Sequence, residues 1–383
     1  MQIVAATWFA YEITGNAASV GLLSALALGP AIVGGPIGGA LADRFDPRRL
    51  AVVLYLLQAV PATLLAVLDL LGDLPLGWLY ALIFTGAIPY SLNSPVITLV
   101  GPSTVPDEYR AAAVAQASMM FNVTRLAGAV AGGFLVHWVG IGAAFAFNAA
   151  SYLLVAAVLA RTDLVSDVGQ TPREQPAQAA VDGATLRFTR LAAVGVGVFF
   201  VFVAPVEQLM PTVAEEHGMT AAAVGVLIGA IGLGAMLANP IIGKCATAAG
   251  RRRLMAVGLL LAASGMVALA ITPRHGVTVD LAAATVIGFG WEFVFVGGQS
   301  AVALEVPAAA RGRMMGLFFV LVTATTALGA VTLGLLINTW GMAATFLATA
   351  AVAASTGVAM LALHGRPVMA QSPPAGNNPR NGP

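Results

Sequence analysis

The 383-residue sequence predicts an all-α integral membrane protein made of two parallel-repeat six-helix bundles, and three observations predict it. The first is composition. Hydrophobic residues make up 59% of the chain and charged residues 9%, where a water-soluble globule carries roughly 25% charged residues. Lipid is the solvent. The second is a series of apolar runs near 20–42, 50–71, 76–98, 113–136, 140–160, 190–213, 220–243, 254–272, 278–302, 314–338 and 341–363. Each reaches or nears the roughly 20 residues that cross a ~30 Å hydrocarbon core. Helices satisfy their backbone hydrogen bonds internally, so these runs are read as helices and not strands. The third is a duplication. Val105-Pro106, Arg110, Gly128-Ala129-Val130, Gly133, Leu135, Gly140, Ala143 and Phe145 return at Val306-Pro307, Arg311, Gly329-Ala330-Val331, Gly334, Leu336, Gly341, Ala344 and Phe346, a constant offset of 201 (110 to 311, 145 to 346). Upstream, Val20-Gly21, Leu23, Pro36, Gly39 and Arg48-Arg49-Leu50 return at Val224-Gly225, Leu227, Pro240, Gly243 and Arg252-Arg253-Leu254, an offset of 204 (48 to 252).

Taken in order, residues 1–13 form only a partial span, because thirteen residues at ~1.5 Å rise reach about 20 Å. The 204 offset places Met1 opposite Pro205, inside the seventh helix, so Arg190 to Ala204 have no counterpart in the first half. Twelve helices are expected, the first truncated, and roughly fifteen residues from an upstream start would complete the span and raise stability and transport. A short re-entrant first segment is the alternative. The organisation that follows is a first bundle over 1–160, a linker over 161–189, a second bundle over 190–363 and a disordered tail over 364–383. The linker mixes charges with Pro172 and Pro176, and the tail has too little apolar surface to fold. Arg44, Arg48, Arg49, Arg110, Arg161, Arg173, Arg187, Arg190, Lys244, Arg251 to Arg253, Arg311, Arg313, Arg366 and Arg380 fall on one side, against Arg274 on the other. The positive-inside rule makes the first side cytoplasmic, with the linker and C-terminus there.

Gly39-Ala40-Leu41-Ala42-Asp43-Arg44-Phe45-Asp46-Pro47-Arg48-Arg49, between the second and third helices, resembles the cytoplasmic signature of the major facilitator superfamily. Asp46 replaces that signature's second glycine, and Pro47 the basic residue after it. Asp43-Arg44-Phe45-Asp46 followed by Arg48-Arg49 is similar to the branch of siderophore exporters and macrolide efflux proteins. The likeness to the superfamily spans nearly all of residues 1–363; that to the branch rests on 36–50, 101–151 and 299–346. It implies the major-facilitator fold and a cytoplasmic gate of Gly39, Asp43, Arg44, Arg48, Arg49, Arg311 and Arg313. In that gate Gly39 permits close helix approach, and Asp43 caps the positive start of the eleventh helix. The second copy has Thr247 opposite Asp43, so one charged latch is expected. On the fifth helix, Gly128, Gly132 and Gly133 resemble the core of the superfamily's antiporter motif, with Ala129 in place of proline. Gly128 and Gly132 are expected to pack against a helix of the other half.

Charges within the bilayer cost roughly 2.5–3.5 kcal/mol each on insertion scales and therefore mark candidate sites. Arg125 and Glu292 lie mid-helix, Trp291 beside Glu292; Glu207 is deep in the seventh span, and Glu12 near the end of the first. Gln58, Asn93, Asn122, Asn148 and Gln299 are polar neighbours. The expected substrate and proton cavity comprises Arg125, Glu292, Trp291, Glu207, Gln58 and Asn122, with Phe199 and Phe293 on its apolar wall and Glu292 carrying the proton. Parallel repeats are one construction of secondary transporters, with the substrate held between halves. Cys245, the sole cysteine, excludes an intramolecular disulfide. His137, His217, His275 and His364 form no metal or nucleophile motif, so neither an enzyme, a metal, a cofactor nor a nucleic-acid partner is expected. The expectation is a monomeric, multi-pass exporter of the inner or plasma membrane, moving a small amphiphilic organic molecule such as a drug, macrolide or siderophore by proton antiport. An importer or uniporter on the same fold is the alternative, as is a non-transporting remnant. Asp43→Asn is expected to lower transport severalfold at unchanged membrane expression, because a neutral amide caps a helix dipole less well; wild-type transport rates in that variant would remove the latch.

Overall fold

The computed structural model describes residues 1–103, 110–162, 183–242, 248–272, 276–306 and 308–362. The expectations for Lys244, Cys245, Thr247, most of the linker and the tail lie outside the described residues, as do the side chains of Arg110, Asn122, Arg125 and Arg311. The first half comprises α1 (Gln2–Thr14), α2 (Ala17–Leu28), α3 (Ala31–Ala42), α4 (Pro47–Leu70), α5 (Leu76–Ser103), α6 (Arg110–Trp138) and α7 (Ile141–Arg161). The second comprises α8 (Gly183–Phe202), a 3-10 turn (Ala204–Glu207), α9 (Met210–Glu216), α10 (Ala221–Ile242), α11 (Ala248–Ile271), α12 (Val277–Glu305), α13 (Ala308–Trp340) and α14 (Met342–Ala362). Because α2 with α3, and α8 with α9, each make one crossing, the fourteen α-helices form twelve rods among the described residues, six per bundle. The α8 helix begins seven residues before the expected boundary at 190.

Two crossings are broken, and proline explains both. Pro30 follows Gly29 between α2 and α3. In the seventh crossing Pro205 is the second residue of the 3-10 turn and Pro211 the second of α9, and the axis bends by 52°. Pro205 has no N–H to give the Val201 carbonyl one turn back, so the helix cannot continue regularly. At the Asn16 end the turns are tight, and Gly140 (φ 111°) and Gly341 (φ 81°) occupy a backbone region that L side chains rarely adopt. These two are repeat mates, so the duplication preserved the turn.

Within the first bundle α4 packs on α7 and α5, and α3 on α5; within the second, α12 packs on α11 and α10, and α11 on α14. Between bundles the extensive contacts are α2 with α13 and α6 with α10. The largest apolar core fills the second bundle. There Phe199, Phe200, Trp291, Phe295, Phe318 and Phe319 form a chain of rings with centroids 5.2–6.3 Å apart. This corrects one expectation: Phe199 and Phe293 line no described cavity but are packed away, Phe293 against Ala238 and Leu254. Residues two apart on a helix point to nearly opposite sides, so Trp291 and Phe293 cannot share a wall.

The loop after α3 explains its departures from the superfamily signature. Asp46 is the N-cap of α4, its Oδ1 accepting the Arg49 amide at 2.8 Å, and Pro47 occupies the first helical position. Proline is suited there because its missing N–H would be unpaired in any case. Arg48, expected in the gate, donates from Nε to the Leu159 carbonyl at 2.7 Å and from Nη2 to that of Ala160 at 2.6 Å. It ties α4 to the C-terminus of α7 within one bundle, a favourable place for a cation. Replacing Asp46 by alanine is expected to remove about 1 kcal/mol of helix capping. A fall of a few degrees in the thermal midpoint in detergent would register it, and an unchanged midpoint would count against the cap.

Candidate functional site: a central cavity closed at one end

A cavity of about 380 Å³ lies between the bundles. Thr7 of α1, Tyr90 of α5, Thr124 and Gly128 of α6, Ile228 of α10, and Glu207 and Gln208 at the break of the seventh crossing form its walls. It adjoins a second cavity of about 400 Å³ that shares Met1, Ile3, Tyr90 and Gln208 and adds Ser24, Gln58, Asn148 and Tyr152. The proline-flanked break places Glu207 and Gln208 here, as discontinuous helices do in transporters. Two acceptors in these walls lack partners. Gln58 is 2% exposed; its Nε2 donates to the Leu54 carbonyl at 3.1 Å, while its Oε1 is unpaired, as is Gln208 Oε1. An unmade hydrogen bond at a buried acceptor costs about 1–3 kcal/mol, so both atoms favour a ligand or water that donates.

Of the residues expected at the site, Glu207 and Gln58 are brought to these walls, and Asn148 joins them, donating to Gln2. Trp291 instead meets Phe199 and Phe200 edge-on in the second core. Glu292 is half-buried on α12 and is not among the residues lining either cavity. Arg125 and Asn122 lie on α6, the helix that supplies Thr124 and Gly128. Sequence reasoning does not point to Thr7, Tyr90 or Thr124, and it meets Gln208 only as the neighbour of Glu207. For Gln208 the signal was present: Pro205 and Pro211 bracket it.

Glycines close the Asn16 end. A Cβ on Gly21 would collide with the Ala330 carbonyl oxygen, and one on Gly225 with that of Ala129. One on Gly334 would lie 2.6 Å from the Ala17 carbonyl oxygen, and one on Gly133 2.9 Å from that of Ala221. The pairs are repeat mates: Gly21 and Gly225, Ala17 and Ala221 differ by 204; Gly133 and Gly334, Ala129 and Ala330 by 201. A pseudo-twofold axis thus turns the α2–α13 seam into the α10–α6 seam. Toward the Asp43 end no such contact forms at three glycines. Gly35 and Gly39 of α3 and Gly316 of α13 have nothing within 4 Å of an added Cβ. In the antiporter-like motif, Ala129 and Gly133 meet the other bundle. Gly132 instead faces Met1, and Gly128 borders the cavity, so the contact stripe lies one residue later than expected.

A cavity between two repeat-related six-helix bundles, closed at one end, is transporter architecture. The sequence model of the transmembrane secretion effector family matches residues 1–379. The chain belongs to that family, within the major facilitator superfamily. Macrolide efflux protein A of Streptococcus pyogenes is 28% identical over 105 residues, and the match spans about a quarter of each protein: 27% of this chain and 26% of the relative. An uncharacterised MFS-type transporter of Bacillus subtilis, YfiS, is 26% identical over 83% of this chain and 78% of its own. The fold is shared with the nucleoside transporter NupG (TM-score 0.72, 12% identity, covering 95% of this chain and 97% of that one). It is shared also with a peptide transporter bound to alafosfalin (TM-score 0.74, 16% identity, 94% and 90%). The chain is therefore a multi-span membrane protein of the superfamily. Gly225→Val is expected to wedge the α6–α10 seam and lower transport at least tenfold while membrane expression holds; labelling of a cysteine placed in the cavity, from the Asn16 side, would rise. Unaltered labelling and flux would show that the seam tolerates the side chain.

Proposed function

We propose that this protein is a secondary active exporter that carries a small amphiphilic organic molecule outward in exchange for protons. The observation that carries the reading is Glu207 on the wall of a cavity between bundles, at a helix break, with one end of the cavity sealed. A carboxylate that can take and release a proton where both bundles meet can link protonation to their rocking. The arginine-rich end is read as cytoplasmic, which makes the glycine-sealed Asn16 end the outer one. Export is supported by the likeness to macrolide efflux protein A. An amphiphile suits walls that combine Ile3, Val4 and Ile228 with Thr7, Tyr90 and Gln208. Coupling is assigned to Glu207 ahead of Glu292 because Glu207 borders the cavity.

The test is uptake of a labelled macrolide into inside-out vesicles under an imposed pH gradient. Glu207→Gln is expected to abolish gradient-driven uptake while leaving ligand binding detectable, since an amide cannot cycle a proton; Glu292→Gln should retain coupling. Coupling retained by the first variant and lost by the second would return the role to Glu292. Wild-type accumulation in the opposite direction would replace export with import.

A further inference from the structure

The two seams that close the outer end are alike in backbone and unlike in side chains. At the first, Asn16 caps α2, its Oδ1 accepting the amides of Ala18 at 2.8 Å and Ser19 at 3.4 Å. Asn338, on the last turn of α13 in the other bundle, accepts the Ala17 amide through Oδ1 at 3.0 Å and donates from Nδ2 to Asn16 Oδ1. One helix N-terminus is thus capped from both bundles, and three of its otherwise unpaired amides are satisfied. At the second seam the repeat mate of Asn16 is Thr220 (204 later), and that of Asn338 is His137 (201 earlier). The backbone follows: Ser19 N donates to the Asn16 carbonyl at 3.1 Å, and Ala223 N to the Thr220 carbonyl at 2.9 Å. The polar exchange does not follow. His137 and Thr220 are exposed, and among the described residues neither side chain bonds across the seam.

We propose that the Asn16–Asn338 clasp makes the outer gate open asymmetrically, with the α6–α10 seam parting first and the α2–α13 seam serving as the hinge. Asn338 is the positioning residue. Parting α2 from α13 breaks two inter-bundle hydrogen bonds, whereas parting α10 from α6 breaks, among the described residues, backbone and apolar contacts alone. Both asparagines are at least partly exposed, so water replaces part of what is lost. The clasp then biases the open-to-closed ratio of its seam roughly fivefold, the equivalent of about 1 kcal/mol.

The inference rests on the alternating-access reading and on the arginine-rich end being cytoplasmic, but its test needs no flux. In the full chain with Cys245→Ser, reconstituted in nanodiscs, spin labels at Ile13 and Thr339 report the first seam, and labels at Val139 and Glu215 the second. Across acidic and neutral buffers the wild-type long-distance fraction is expected to be larger for the second pair. Asn338→Ala should raise the first pair's long-distance fraction roughly fivefold and change turnover more than KM. Transplanting the clasp by His137→Asn with Thr220→Asn should lower the second pair's fraction, which keeps the test decisive should Asn338→Ala fold poorly. Equal opening of both seams in the wild type, an unmoved first pair in Asn338→Ala, or an unmoved second pair in the transplant would overturn the proposal. Flux that reverses direction with the asymmetry intact would instead overturn export alone.

Discussion

Backbone-to-backbone contact at Gly21, Gly133, Gly225 and Gly334 is the constraint on which the rest of the molecule depends. Lipid tails are as apolar as leucine, so helices in a bilayer gain no hydrophobic free energy by leaving lipid for each other; they associate through close packing, and small residues permit it. With no side chain at these four positions, the carbonyls of Ala17, Ala129, Ala221 and Ala330 come against the opposite bundle. The same four contacts close one end of a cavity of about 380 Å³ between the bundles. Toward the Asp43 end Gly35, Gly39 and Gly316 make no such contact.

The break in the seventh crossing follows from the same demand for close approach. Pro205 leaves the Val201 carbonyl without its intrahelical donor, and Gly329 of α13 lies against that carbonyl and the proline ring. Irregular backbone at membrane depth is tolerated where protein or a cavity covers it. Here α13 covers one side and the cavity the other, and Glu207 and Gln208 emerge at that point. A carboxylate and an unpaired amide oxygen are thus held where an uninterrupted lipid-facing helix could not keep them.

Several residues show how far the sequence could be read. The Asp46-Pro47 pair is a helix start by local chemistry, yet a comparison with the superfamily signature marked it only as a departure. Arg48 belonged to a recognisable motif, but its bonds to Leu159 and Ala160, more than a hundred residues away, were invisible along the chain. The glycine-rich run on α6 was evident, whereas its contact stripe, Ala129 and Gly133, was misplaced by one residue because 128–133 is small throughout. The sequence pointed to Glu292 as the proton carrier, placed mid-helix, whereas the fold sets Glu207 beside a cavity.

By itself the sequence determined the helices, their turns, the duplication and the superfamily, since hydropathy, proline, glycine and repeat spacing act locally or leave a periodic record. Only the tertiary structure decided which way each helix faces. In water a helix announces its buried face by an apolar stripe, but in lipid the buried and exposed faces are both apolar: Phe199 is fully enclosed and Leu70 is 77% exposed. The bilayer removes the contrast that would have told cavity from core, and so Phe199 and Phe293 were legible as membrane residues and not as packed ones.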